Sequence, residues 1–130
     1  MALSQFDWQL LIQPKQWTPD AIYTLYQQVM RQYTQGPVWP KDRMPAAFTH
    51  VFSGGYAAGY YSYLFAEVMS DDAFARFEEE GLFNQTVGRA LRDTILSQGA
   101  VKPADQLFEA FRGRKPSIEA LLKHRGLFDA

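Results

Sequence analysis

The hydrophobic positions of this 130-residue chain recur three and four residues apart, which is the spacing of a helix with one buried face. The clearest case follows Thr18, which suits an N-cap, and Pro19, which suits the first helical position. The apolar residues of this helix are Ile22, Leu25, Tyr26, Val29, Met30 and Tyr33. Gly36-Pro37 is predicted to end it.

The same signals predict further helices on both sides of this one. Phe6–Ile12 reads as the end of a helix that began upstream. Later helices are predicted from Tyr56 to Met69, from Ser70-Asp71-Asp72 to Gly81, from Asn84 to Gly99, from Pro103 through Phe111, and from Ser117 to Gly126. Gln35 to Pro45 contains three prolines and is predicted to be an extended loop.

No segment alternates apolar and polar residues with the period of two that a half-buried strand needs. The pattern therefore predicts an all-α array of about six short helices. We expect residues 1–130 to form a single α-helical domain, since a chain of this length with 47% hydrophobic residues can build one core.

Charge and cysteine content narrow the choice of partners. The net charge is −1, with 13 basic and 14 acidic residues, so no basic field exists to hold nucleic acid or an anionic membrane. The longest apolar stretch, around Tyr56 to Met69, is too short to span a bilayer. No cysteine and no signal-like start are present, which is compatible with a cytoplasmic protein.

The run from Phe48 to Tyr63 carries the chemistry, because it combines a histidine, three glycines and four tyrosines in sixteen residues. Phenols and a neutral imidazole can donate hydrogen bonds to a carbonyl oxygen as it gains negative charge. Gly54 and Gly55 let the backbone bend or approach a ligand closely. The composition indicates transition-state stabilisation beside a peptide-like substrate.

Two interpretations of these residues stay open on the sequence alone. His50 is either a donor to the substrate or a loop histidine satisfied by the backbone. If a helix starts near Tyr56, then Tyr56, Tyr60 and Tyr63 share one face and Tyr61 points elsewhere. That face is either a binding surface or an aromatic core stripe, although a buried phenol needs a hydrogen-bond partner.

Several separated motifs occur in one order along the chain. The Gly-Gly-Tyr-rich run is followed by Phe74-Ala75-Arg76-Phe77-Glu78-Glu79-Glu80-Gly81, Ile95-Leu96-Ser97-Gln98-Gly99 and Phe111-Arg112-Gly113-Arg114-Lys115-Pro116-Ser117. In this order they resemble the thimet oligopeptidase and oligopeptidase A family of zinc metallopeptidases, from about Phe6 onward. The six-residue step from His50 to Tyr56 is similar to the branch of bacterial oligopeptidase A and dipeptidyl carboxypeptidase. Phe65 stands where that branch usually has tryptophan.

The resemblance implies roles for six residues. It makes His50 a substrate-contacting histidine, and it makes Tyr56 and Tyr63 the side chains that orient the substrate and stabilise the oxyanion. Tyr60 becomes a further lining residue, and Gly54 with Gly55 becomes a substrate loop that bends over the cleft. Arg112, Arg114 and Lys115 could hold a peptide carboxylate, but pairing with neighbouring helices is the expected role of these cations.

The family's metal site is missing from the sequence. In the family, zinc is held by a His-Glu-x-x-His helix and a later glutamate, whereas this chain has only His50 and His124. The resemblance therefore implies the C-terminal, substrate-binding part of a peptidase that hydrolyses short peptides. Such a chain is expected to be inactive alone, to bind no zinc itself, to pair with the N-terminal metal-bearing part and to self-associate when isolated. The alternative is a stand-alone, non-catalytic helical domain that binds peptides or a partner protein.

Overall fold

The computed structural model describes residues 1–127, and no β-strand occurs among them. The α-helices in this range are α1 (Ala2–Ile12), α2 (Pro19–Tyr33), α3 (Met44–Ala47), α4 (Thr49–Phe52), α5 (Ser62–Glu80), α6 (Gln85–Leu91), α7 (Ala104–Arg112) and α8 (Glu119–His124). A π-helical turn, Arg92–Leu96, follows α6 directly. The all-α prediction is confirmed, with eight α-helices in residues 1–127 instead of about six. None of these helices is long and apolar enough to cross a membrane.

The chain divides into two compact units, Met1–Leu64 and a second that begins at Phe65. The expectation of one domain over residues 1–130 stays a prediction. In the first unit, α1 packs against α2, and Phe6 meets the ring of Tyr26 edge to face at 5.4 Å between centroids. The buried core of this unit is Phe6, Leu10, Leu25, Tyr26, Val29, Phe48 and Val51.

Local chemistry explains where several helices begin. The side chain of Thr18 accepts a hydrogen bond from the backbone of Ala21 at 3.3 Å, as an N-cap should. Asn84 caps α6 in the same way, since its side-chain oxygen accepts from Thr86 N at 2.9 Å. Pro103 precedes α7, and Gly113 ends that helix with a left-handed φ of 78°.

Three helix predictions were wrong in their boundaries. The predicted loop from Gln35 to Pro45 already contains the start of α3, because Pro45 fits the first turn of a helix. No helix begins at Tyr56, since the backbone runs in turns up to Tyr61. The predicted break at Ser70-Asp71-Asp72 lies inside the continuous helix α5.

In the second unit, Asp72 lies inside α5, where a helix break was predicted, and its carboxylate is fully buried. Asp72 accepts hydrogen bonds from Arg112 Nε at 3.1 Å, from Arg114 Nη1 at 2.6 Å and from Ser117 N at 2.7 Å. Burial by itself raises the pKa of Asp72, but the hydrogen bonds from Arg114, Ser117 and Arg112 outweigh it and lower that pKa below its ordinary value. Arg112 and Arg114 therefore pair within the helical framework, as expected.

Candidate functional site

His50, Tyr56, Tyr60 and Tyr63 come together on the first unit and form what we call the aromatic cluster. The His50 ring lies 6.1 Å from Tyr56, 5.5 Å from Tyr60 and 5.9 Å from Tyr63 between centroids. Tyr63 in turn lies 5.3 Å from Tyr56 and 5.1 Å from Tyr60. The three predicted tyrosines and the predicted histidine therefore share one surface.

Three successive elements deliver these side chains. His50 stands on α4, Tyr56 and Tyr60 stand on the turns that follow, and Tyr63 is the second residue of α5. The backbone N–H of Tyr56 donates to the carbonyl of His50 at 3.0 Å, which ties the first tyrosine to the histidine. Phe48, which is buried in the core, meets the Tyr60 ring edge to face at 4.8 Å. The aromatic cluster is thus packed against the hydrophobic core through Phe48.

The upper side of the aromatic cluster remains accessible. Tyr56 is 39% exposed and Tyr63 is 41% exposed, whereas tyrosines that only fill a core would be buried. His50 is exposed as well, and Tyr60 is half-buried. Exposed phenols can donate to a ligand, so the arrangement favours a binding surface over the core stripe that the sequence left open.

The rings of Tyr63 and Tyr56 lie side by side, with their centroids 5.3 Å apart. Interaction with the Tyr56 phenol, followed by partial burial and the neighbouring Tyr60, raises the pKa of Tyr63 above its ordinary value of 10.0. Tyr63 therefore stays protonated through the neutral range. A protonated phenol is what donation to a developing negative charge requires.

The glycine pair lies at the edge of the cluster, between α4 and Tyr56. A Cβ on Gly54 would lie 2.9 Å from both the Cα and the carbonyl oxygen of His50, so the position excludes any side chain. Gly55 has open space around it but a φ of 78°, which glycine adopts without steric cost. The two residues allow the sharp reversal that returns the chain to His50. Whether they form a substrate loop stays a prediction.

Tyr56, Tyr60 and Tyr63 do not share a helical face, contrary to the prediction for a helix that starts near Tyr56. Because α5 begins only at Ser62, Tyr56 and Tyr60 are not placed by helical periodicity. The rings converge through the turns at residues 56–61 instead. Tyr61 places its ring edge to face against Trp8 at 6.1 Å, on a different contact from the cluster.

Sequence reasoning missed Asp7, which lies beneath the tyrosine turn. Its carboxylate is fully buried and accepts hydrogen bonds from Ala58 N at 2.9 Å and from Tyr60 N at 3.0 Å. The available signal was a single acidic residue inside the apolar patch Phe6–Ile12. A lone carboxylate on a buried helical face needs donors, and here they come from the turn.

The residues that the structure describes do not fit a resident metal ion. No group of three or more His, Cys, Asp or Glu side chains within residues 1–127 could hold one. His124 is engaged with carboxylates of α5, at 3.2 Å from Asp71 and 3.1 Å from Glu78.

The chain is similar in sequence to several known peptidases. The chain is 54% identical over 91 residues to oligopeptidase A of Escherichia coli, which covers 70% of this chain and 13% of that protein. It is 47% identical over 116 residues to the chloroplastic and mitochondrial oligopeptidase A of Arabidopsis thaliana, covering 86% and 15% respectively. Dipeptidyl carboxypeptidase of Escherichia coli is 40% identical over 91 residues, covering 70% and 13%.

The chain thus spans about one seventh of the length of these curated relatives. The profile of Peptidase family M3 matches residues 1–127, which is nearly the whole chain. This match confirms the resemblance read from the Gly-Gly-Tyr run and the motifs that follow it. Because the match covers residues 1–127 and agrees with these relatives, the chain belongs to Peptidase family M3.

Proposed function

We propose that this chain is the substrate-binding wall of a zinc-dependent metallo-oligopeptidase that hydrolyses short peptides. The observation that carries the proposal is the convergence of His50 with three phenols on one accessible surface. Membership of Peptidase family M3 and relatives named oligopeptidase A support the choice of peptides as substrates.

The proposed chemistry uses the neutral donors of the aromatic cluster. Tyr63 and Tyr56 donate hydrogen bonds to the scissile carbonyl oxygen as it becomes an oxyanion, and His50 contacts the substrate beside them. Tyr60 lines the site, and the Gly54-Gly55 segment covers the bound peptide. Donors of this kind act best when they are held in place before the charge develops.

We propose zinc as a cofactor of the complete enzyme and not of this chain alone. Since the described residues provide no metal site, we propose that the metal and its ligands lie on a separate, metal-bearing segment that packs against this chain. We propose that this metal-bearing segment is N-terminal to the present chain. We also propose a cytoplasmic location, with which the lack of cysteine in the sequence is compatible.

A chimera tests the proposal directly. The matching segment of Escherichia coli oligopeptidase A is replaced by this chain, and hydrolysis of a quenched fluorogenic peptide is measured. We expect an active chimera in which Tyr63→Phe lowers kcat by about 10²-fold or more with little change in KM. The substitution keeps the ring and removes only the hydroxyl, so the loss reports one hydrogen bond made in the transition state.

Tyr61→Phe in the same chimera is the matched control. Its ring packs against Trp8 rather than within the aromatic cluster, so kcat should stay close to that of the unmutated chimera. Equal and small effects of the two substitutions would show that the cluster serves packing alone. A folded chimera without activity would favour the stand-alone binding domain instead.

A further inference from the structure

The carboxylate of Asp7 reaches across the first unit to a turn more than fifty residues later. One oxygen accepts from Ala58 N at 2.9 Å and the other accepts from Tyr60 N at 3.0 Å, and the side chain is fully buried. The two bonds span alternate residues of a single turn. Such a two-point attachment fixes both the position and the orientation of the peptide units between them.

The attached turn has a conformation that needs support. Ala58 has a φ of 51°, the one positive φ at a non-glycine residue within residues 1–127. An L-residue reaches this left-handed region only at a steric cost, so surrounding contacts must hold it there. Asp7 supplies such contacts on either side of Gly59, at the backbone of Ala58 and of Tyr60.

The turn also carries two members of the aromatic cluster. Tyr60 is bonded to Asp7 through its backbone, and its ring lies between Phe48 and Tyr63. Tyr56 belongs to the same turn, since its carbonyl accepts from Gly59 N at 2.8 Å. A shift of the Asp7 carboxylate would therefore move both rings relative to His50.

We propose that Asp7 is a positioning residue of the substrate site: its buried carboxylate holds the tyrosine turn so that the phenols face the substrate in a fixed arrangement. The inference rests on the proposed function for its catalytic consequence. Its structural part, the clamp on the turn, stands on the contacts of the chain itself.

Hydrogen exchange followed by NMR tests the clamp in the full chain without any substrate. In the unmutated chain the amides of Ala58 and Tyr60 should exchange roughly tenfold or more slowly than in an unstructured peptide. In Asp7→Asn, an NH₂ group replaces one of the two carboxylate oxygens. That group is a donor, and it would face the backbone N–H of Ala58 or Tyr60, which has then lost its acceptor. These two amides should then lose roughly tenfold or more of their protection while the amides of α2 lose much less.

Leu10→Ala is the matched control, because Leu10 lies on the same helix and in the same buried core. It should accelerate exchange over the unit as a whole, with no selective effect at Ala58 and Tyr60. A uniform loss of protection in Asp7→Asn as well would overturn the clamp. Should Asp7→Asn fail to fold, fast exchange of the two amides in the unmutated chain still refutes it.

The catalytic part is measured in the active chimera. Asp7→Asn should lower kcat by roughly tenfold or more with a smaller change in KM, because a misplaced donor weakens transition-state contacts first. Leu10→Ala, assayed where both variants are folded, should leave kcat near that of the parent. Unchanged kcat in Asp7→Asn together with a large loss in Tyr63→Phe would overturn the positioning role and leave the proposed function intact. An inactive chimera would count against the proposed function, while the exchange experiment still decides the clamp.

Discussion

Replacement of Asp72 by asparagine tests how much the buried ionic network of the second unit stabilises the fold. Asparagine has the same shape as aspartate, so the substitution opens no cavity. It removes the negative charge that faces Arg112 and Arg114. Asp72 is fully buried and the Arg112 side chain is 8% exposed, whereas Arg114 is 44% exposed. The change therefore leaves one guanidinium in a dry environment and another that water can reach.

These exposures set the expected magnitude. Removing one partner of a buried ion pair typically costs about 3–5 kcal/mol, because the other charge stays buried and unpaired. The cost is reduced here, since Arg112 keeps a hydrogen bond to Glu79 at 2.7 Å and the exposed Arg114 can be rehydrated. We expect a loss of about 2–4 kcal/mol in the free energy of unfolding. That is a large share of the roughly 5–15 kcal/mol that holds a typical domain.

Urea unfolding followed by circular dichroism measures the loss, with Asp93→Asn as the matched control. Asp93 also pairs with an arginine, at 2.6 Å and 3.0 Å from Arg92, but the side chains are 56% and 64% exposed. Solvent screens that pair, so its removal should barely change the unfolding midpoint. A loss in Asp72→Asn no larger than in Asp93→Asn would refute the argument from burial.

The pH dependence gives a second check on Asp72. A carboxyl whose pKa is lowered by folding stabilises the folded state above its unfolded value, here 3.8, and loses this effect as pH falls through the folded value. The difference between the parent chain and Asp72→Asn should therefore shrink in acid. A difference that grew as the pH fell would contradict the sign.

Three further predictions concern the isolated chain. It should neither cleave a quenched fluorogenic peptide nor retain zinc, since two distant histidines fall short of a catalytic zinc's three protein ligands; chelator-sensitive turnover would contradict this. It should self-associate in sedimentation experiments through exposed apolar residues such as Phe83 and Val101, and a clean monomer at high concentration that binds no hydrophobic dye would contradict this. Hydrogen bonds to Glu78 and Asp71 raise the pKa of His124 above 6.5. Protonated His124 should therefore stabilise the fold fully below pH 6.5, and this stabilisation should fade as the pH rises through the folded pKa. The difference in unfolding free energy between the parent chain and His124→Gln, measured over a pH series, checks this.

The parts of the fold that local chemistry decides could be predicted from the sequence. The caps at Thr18 and Asn84 and the start of α7 after Pro103 depend on neighbouring residues only, and all three are confirmed. Helix starts that depend on distant residues could not be predicted. The amide of Tyr60 donates to Asp7 instead of to the carbonyl of Tyr56, and Ala58 has a left-handed φ of 51°, so no helix forms at Tyr56.

The candidate site shows the same division. The residue types of His50, Tyr56, Tyr60 and Tyr63 predicted hydrogen-bond donors for a substrate, and the structure brings their rings together. Their actual arrangement depends on a turn and on a carboxylate more than fifty residues away, which periodicity cannot reveal. Their roles towards a substrate stay predictions until the chimera is assayed.

Gly54 and Gly55 are glycines for different reasons, and this opens a route to chemical probes. At Gly54 the limit is room, because any Cβ would meet the backbone of His50. At Gly55 the limit is handedness alone, since space is open and φ is 78°. A mirror-image D-alanine built into position 55 by chemical synthesis prefers this positive φ, so it would make the unfolded chain less flexible without opposing the native backbone angle. A segment stiffened in this way would also reveal whether catalysis requires the loop to move.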